Sequence, residues 1–251
     1  MKTLIAIINA RHRADWRTAI RTTWLPQIPR DKGIDAFFFV GRGAAILDGD
    51  NVVELNCKDD YQSIPEKVRA ISQWALEHGY DSMLKCDDDV ILRPNDFISS
   101  GYEQHQYSGR ANRHPQPYIV PFGFCYVLNR DCMTIVAQSE LPINHHEPFD
   151  DERWVAEILW NRGIQITDVR RYVLCHYANF DQAPQNAFAF CVHLPSDSQA
   201  VKMNEFHKLF AKYGEGGNKA QSLAWTRGQE LLNRRRYTDA NCLVQNWWDS
   251  H

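Results

Sequence analysis

Residues 4–8, Leu-Ile-Ala-Ile-Ile, form a continuous apolar run with no polar alternation, as suits a strand covered on both faces of a sheet. A helix is expected at once, because Trp16, Ile20 and Trp24 recur at helical spacing, Asp15 stands where it could cap the start, and Pro26 ends the pattern. Residues 36–40 read as a second buried strand stopped by Gly41, and residues 52–55 as a third. Ser63 and Glu66 make a candidate capping box for the next helix, with Val68, Ile71 and Ala75 on its inner face and Gly79 as its stop. Residues 82–86 are then a strand that runs directly into Asp87, Asp88 and Asp89.

The second half is less regular. Strands are expected at 118–120 and 125–128 around Gly123, a helix at 131–139, turn-rich sequence at 141–148, and a helix at 151–162 closed by Gly163. Residues 164–169 and 172–177 suggest two more strands, and past Pro195 the pattern is helical, with Met203, Phe206, Leu209 and Phe210 on one face and Leu231 and Leu232 later. The order strand, helix, strand, strand, helix, strand predicts an α/β domain with a mixed, mostly parallel sheet flanked by helices. We place that domain at residues 1–195 and a helical extension packed on it at 196–251.

Three adjacent carboxylates repel one another, and a chain tolerates them on a solvated loop or around a cation. On an extended backbone residues 87 and 89 share a side, so Asp87 and Asp89 could face one ligand. Mg²⁺ and Mn²⁺ suit such hard oxygen donors, commonly one or two carboxylates completed by substrate phosphate and water. An acidic turn is the plain alternative. Position favours the site, because ligands of such sheets gather beyond the carboxyl ends of the strands.

Composition narrows the partners. At 251 residues a single α/β core is large enough to be stable, and a net charge of −3 gives no basic field that would suggest nucleic acid. Arg234-Arg235-Arg236 is a local run that suits a solvated helix face. The seven cysteines are scattered without a zinc-type pair, which suggests a reducing compartment, and the apolar run at 4–8 is too short to span a bilayer. A cytoplasmic protein with no membrane span is the expectation.

Several segments together resemble the beta-1,3-galactosyltransferase family and its Fringe relatives. Trp16-Arg17-Thr18-Ala19-Ile20-Arg21-Thr22-Thr23-Trp24 resembles R-R-x-A-I-R-x-T-W, with Trp16 in place of the first Arg. Phe37 to Gly41 is similar to F-x-x-G; Tyr61, Ile64 and Lys67 fall on Y-x-N-L-x-x-K; Trp74 falls where the family's helix carries Trp. Lys85 to Val90 resembles K-T-D-D-D-V, Gly123 to Leu128 the G-x-G-Y-V-L strand, and Pro148-Phe149-Asp150-Asp151 the P-Y-E-D segment. The resemblance implies a GT-A fold, a D-x-D metal site, Mn²⁺ or Mg²⁺, a UDP-sugar donor and a glycan acceptor. It implies an inverting transfer of a hexose or N-acetylhexosamine that leaves a beta linkage. The absence of an anchor and stem suggests a bacterial or viral relative.

Roles follow from that chemistry. A metal held by carboxylates stabilises charge on the departing diphosphate, with Asp89 the first ligand, Asp87 facing metal or ribose, and Asp88 turned into the fold or toward the donor sugar. His176 stands where the resemblance suggests a late histidine completing the metal site, with His193 as competitor; a buried histidine bonded to a backbone carbonyl is the other reading of His176. The His145-His146-Glu147 cluster suits a surface loop. Asp151 matches the family's catalytic base, while a one-residue shift would give that place to Glu152; both Asp150 and Asp151 also suit a helix start. Arg11, Arg13, Arg17 and Arg21 cluster after the first strand, where Arg11, Arg17, Arg21 and, more weakly, Lys67 are candidate diphosphate contacts; pairing with acidic neighbours is the alternative. Two rivals would use the same carboxylates otherwise: a nucleotidyl- or phosphotransferase, and an inactive carbohydrate-binding relative.

Overall fold

The computed structural model describes residues 1–44, 47–112, 117–141, 150–169, 172–175 and 189–192. His145, His146, Glu147, His176, His193, the arginine run at 234–236 and the expected extension at 196–251 lie outside the described residues. The elements are β1 (Thr3–Ile8), α1 (Ala14–Thr22), β2 (Ile34–Val40), β3 (Val52–Glu54), α2 (Ile64–Glu77), β4 (Ser82–Asp87), β5 (Val90–Leu92), α3 (Pro94–Ile98), β6 (Tyr107–Asn112), β7 (Val120–Asn129), α4 (Arg130–Gln138), α5 (Asp151–Trp160), β8 (Thr167–Asp168), β9 (Tyr172–Cys175) and β10 (Ala189–Val192).

Seven strands form the main sheet in the order β3-β2-β1-β4-β7-β6-β8, and β5-β10-β9 form a smaller one. Strands β3, β2, β1 and β4 are parallel, β7 is antiparallel to both β4 and β6, and β8 is parallel to β6. All six residues of β1 are buried, since the sheet is covered on both faces. On one face Leu4, Ala6, Ile8, Met83 and Tyr126 pack with Val68 and Ile71 of α2, Met133 of α4 and Val155 of α5. On the other, Ile5, Ile7, Phe38 and Leu84 pack with Ile20 of α1 and with Trp24, whose indole N–H donates to the Val90 carbonyl at 3.2 Å.

Several local expectations are corrected. Asp15 lies inside the first turn of α1, and the N-cap position is Arg13, without a side-chain cap. The Ser63–Glu66 capping box does not form: Asp60 caps the preceding turn, accepting from the Ser63 backbone N–H at 2.9 Å and its hydroxyl at 2.7 Å. The two short strands expected around Gly123 are one ten-residue strand, β7, because β6 pairs along it and absorbs an irregularity between Gly109 and Ala111. At 164–169 only Thr167–Asp168 is extended. The aspartates also differ from the expected geometry: β4 ends at Asp87, and Asp88 and Asp89 form the turn into β5, so strand alternation does not extend to residue 89.

Asn129 begins α4 as a true cap, its side-chain oxygen accepting from the Cys132 N–H at 2.9 Å. Asn129→Ala is therefore expected to lower stability by about 1 kcal/mol, read as a shift of the urea midpoint without a change of slope.

Candidate active site

Topology brings the site together before any side chain is considered. Ile8 at the end of β1 lies beside Phe39 of β2 and Asp87 of β4, so three parallel strands finish at one edge. β7 runs the other way and pairs Cys125 with Cys86, which puts its early residues, Gly123 included, at that same edge. Helix α5 starts beside them.

The triplet divides by environment. Asp88 is buried into the fold, where its carboxylate accepts from Asn9 Nδ2 at 2.6 Å and pairs with Arg13 at 2.9 Å. Burial pushes its carboxyl up to about 8, with Arg13 pulling against that. Asp87 pairs with Lys85 at 2.7 Å. Burial raises Asp87 to about 7; Lys85 opposes the rise, while Asp89 and Asp151 add to it. Asp89 differs from both: its Oδ1 is buried and has no hydrogen-bond partner among the described residues. A buried carboxylate oxygen without a donor is costly, and a bound cation would remove that cost.

At the start of α5, Asp151 is 4% exposed, and its Oδ2 accepts from the Tyr126 hydroxyl at 2.7 Å and lies 3.4 Å from Lys85 Nζ. The Lys85 ammonium also donates to the Gly123 carbonyl at 2.5 Å. Burial disfavours its charge, but Asp151 and Asp87 outweigh that and hold it protonated. Burial, together with the charges of Asp151 and Asp150, pushes Glu152 well above the ordinary carboxylate range. Glu152 lies against Gly123, where a Cβ would come within 2.5 Å of Oε2. The Tyr61 ring, 66% exposed, stands at the rim with its hydroxyl donating to Asp150 at 3.2 Å.

Because the atoms that a Cβ at position 123 would meet end a flexible side chain, Gly123→Ala is expected to displace Glu152 without unfolding the protein. The expected result is a loss of transfer of about tenfold or more with a thermal midpoint within a few degrees of wild type. Paired kinetic and thermal-melt measurements check it.

The cationic residues are drawn inward. Arg17 is buried, donating to Asp48 at 2.6 Å, to the Asn9 side chain, and to the carbonyls of Ala10 and Arg11 at 2.9 and 3.2 Å. Arg21 bonds Asp48 at 2.8 Å and Asn51 at 2.8 Å, so for both arginines the acidic-neighbour pairing is the observed contact. Against its burial, these two arginines hold Asp48 below the usual carboxylate range. Arg11 pairs with Glu54 and donates to the Gly41 carbonyl at 2.8 Å. Lys67 is buried between Asp59, 2.7 Å away, and the Asn9 carbonyl, 3.1 Å away. Asp59 also accepts from the backbone N–H groups of Arg11 and Gly41 at 2.6 and 2.7 Å, and these bonds outweigh burial and keep its pKa low. Gly41 is needed there, since a Cβ would collide with the Lys58 backbone.

Asp87, Asp88, Asp89, Asp151 and Glu152 thus belong to one edge, while Arg11 is paired with Glu54, Arg17 and Arg21 with Asp48, and Lys67 with Asp59. Asn9 and Tyr126 carry contacts that sequence reasoning missed, and Lys85 was read there only as part of a motif. The signal was a lysine inside the apolar strand leading to the aspartates, since a buried lysine requires anions. Among the described residues no group of three His, Cys, Asp or Glu side chains is arranged to hold a metal, and His176 lies outside them.

The mixed, mostly parallel seven-stranded sheet flanked by helices, with carboxylates at its carboxyl edge, has the GT-A architecture. The likeness is to a glycosyltransferase involved in the glycosylation of the major capsid of PBCV-1, with TM-score 0.54, 14% identity, and coverage of 83% of this chain and 100% of that chain. A protein of Desulfovibrio desulfuricans G20 assigned as a nucleotide-diphospho-sugar transferase aligns with TM-score 0.44 and 11% identity over 67% of this chain and 80% of its own. No curated protein matches the chain. The Galactosyltransferase family model matches residues 15–149, more than half of the 251 residues. The chain belongs to the Galactosyltransferase family and is a glycosyltransferase.

Proposed function

We propose that this enzyme is a metal-dependent inverting transferase that moves a hexose or N-acetylhexosamine from a UDP-sugar to a glycan hydroxyl, forming a beta linkage by single displacement. The observation that carries the reading is the buried Asp89 Oδ1, which has no hydrogen-bond partner among the described residues and lies close enough to Asp87 to raise its pKa, with Asp151 of the helix start acting on the same Asp87. Asp87 and Asp89 would hold Mn²⁺ or Mg²⁺, with His176, or His193, as a further ligand. When bound, the cation supplies Lewis-acid stabilisation of the departing diphosphate.

The chain's own residues supply the rest. Asp151, or Glu152 next to it, takes the proton of the acceptor hydroxyl as that oxygen attacks the anomeric carbon from the face opposite the leaving group. Asn9 and Arg13 turn Asp88 inward, which keeps the turn carrying Asp89 against the end of β1. Arg11, Arg17, Arg21 and Lys67 serve the donor by shaping the strand-end loops from below. A cytoplasmic site of action is consistent with Cys57, Cys86, Cys125 and Cys132 being buried free thiols, and among the described residues no helix is long and apolar enough to cross a membrane.

The pH dependence of cation binding tests the metal site. Proton and cation compete for the Asp87 carboxylate, which burial raises to about 7, so protonation increasingly opposes cation binding below that pH and interferes little above it. Mn²⁺ affinity is therefore expected to fall by up to about tenfold per pH unit below 7 and to level off above it. Calorimetric titration between pH 5.5 and 8 checks this, and EDTA is expected to abolish transfer until Mn²⁺ is restored.

A further inference from the structure

Lys85 lies in the middle of a buried strand, 1% exposed, where an ammonium persists only if anions and acceptors meet each of its protons. Here they do. Its Nζ reaches Asp87 at 2.7 Å, the Gly123 carbonyl at 2.5 Å and Asp151 at 3.4 Å. Tyr126, its direct neighbour across the β4–β7 pair, donates to the same Asp151 oxygen at 2.7 Å, and its ring lies 5.5 Å from the ammonium. Strands β4 and β7 and helix α5 therefore meet on one charge.

We propose that Lys85 is a positioning residue whose ammonium is shared between Asp87 on the cation side and Asp151 on the acceptor side, so that the two halves of the site are energetically coupled. The inference rests on reading Asp87 and Asp89 as cation ligands. Lys85 is a resident positive charge next to a divalent-cation site, and Asp151 offsets part of it. Removing the Asp151 charge leaves the whole ammonium facing Asp87 and repels an arriving cation. Removing the ammonium does the opposite. Coupling of this kind is reciprocal, so a cation at the aspartates in turn frees Lys85 toward Asp151 and fixes the helix start when the donor is in place.

Mg²⁺ alone, titrated calorimetrically at pH 8.5 where protons compete little for the carboxylates, tests the coupling without any turnover. Asp151→Asn, which can still accept from Tyr126, is expected to weaken Mg²⁺ binding about fivefold, and Lys85→Met to tighten it about tenfold. Tyr126→Phe removes a neutral donor and no charge, and is expected to stay within about twofold of wild type. A shift of both charge variants in the same direction, an unchanged affinity in Asp151→Asn, or a Tyr126→Phe loss equal to that of Asp151→Asn would overturn the coupling. If Lys85→Met fails to fold by circular dichroism, Asp151→Asn and Tyr126→Phe decide it alone. Asp89→Ala separates the two ideas, because unchanged Mg²⁺ binding in that variant would refute the metal site itself.

Discussion

Asp89→Ala is expected to reduce metal-dependent transfer at least about a thousandfold, a loss of roughly 4 kcal/mol of transition-state stabilisation, while leaving the fold intact. The two halves of this expectation have one cause. The buried Oδ1 of Asp89 makes no hydrogen bond among the described residues, so its removal sacrifices no donor and relieves repulsion from Asp87 and Asp88. A residue kept for the fold would behave in reverse, losing stability first. The thermal midpoint of Asp89→Ala without metal should match or exceed that of wild type, and the stabilisation that Mn²⁺ gives to wild type should vanish. A large loss of midpoint with substantial activity would mean that Asp89 is structural.

The second large effect falls at the start of α5. Asp151→Asn is expected to lower transfer by about a hundredfold or more with the donor still bound, because general-base catalysis contributes about 10² to 10⁴. Asparagine keeps an acceptor for the Tyr126 hydroxyl, so the helix start survives. Glu152→Gln, measured alongside, distinguishes the two carboxylates. Asp151 matches the family pattern, yet one of its oxygens already serves Tyr126 and Lys85, whereas Glu152 is poised by burial and neighbouring charge. Full activity in Asp151→Asn with loss in Glu152→Gln would move the base to Glu152; loss in Asp151→Asn alone would keep it at Asp151.

Much of the scaffold was legible in the sequence because buried parallel strands read as unbroken apolar runs. Residues 4–8, 36–40 and 82–86 fall within β1, β2 and β4, and the helices carrying Val68, Ile71 and Val155 have the periodicity of a one-sided surface. β6, β5 and β10 were missed. β6 mixes Ser, Gly, Arg and Asn and owes its extension to pairing with β7, and β5 is three residues long. Caps failed for a related reason. Asp60, Asp15 and Ser63 all carry capping chemistry, and only the three-dimensional course of the chain decides which side chain meets a free N–H.

The site was legible as a list of residue types rather than as a set of contacts. Spacing pointed to Asp87 and Asp89 and the family resemblance to Asp151, but nothing local reveals that Lys85 on one strand and Tyr126 on its neighbour meet the same carboxylate oxygen. The arginines illustrate the converse. Arg17 and Arg21 have the right chemistry for phosphate, but the fold brings Asp48, 31 and 27 positions further along the chain, between them and bonds it to both. Sequence reasoning supplies candidate charges; long-range pairing decides which of them are already neutralised.

The most direct measurement of the central claim is Mn²⁺-dependent release of free UDP from a panel of UDP-sugars, with and without simple glycoside acceptors. At least one UDP-sugar is expected to be cleaved only when the metal is present, with an acceptor accelerating the release and the product carrying a beta linkage. A folded, metal-binding sample that turns over no UDP-sugar, or that transfers the nucleotide rather than the sugar, would contradict it.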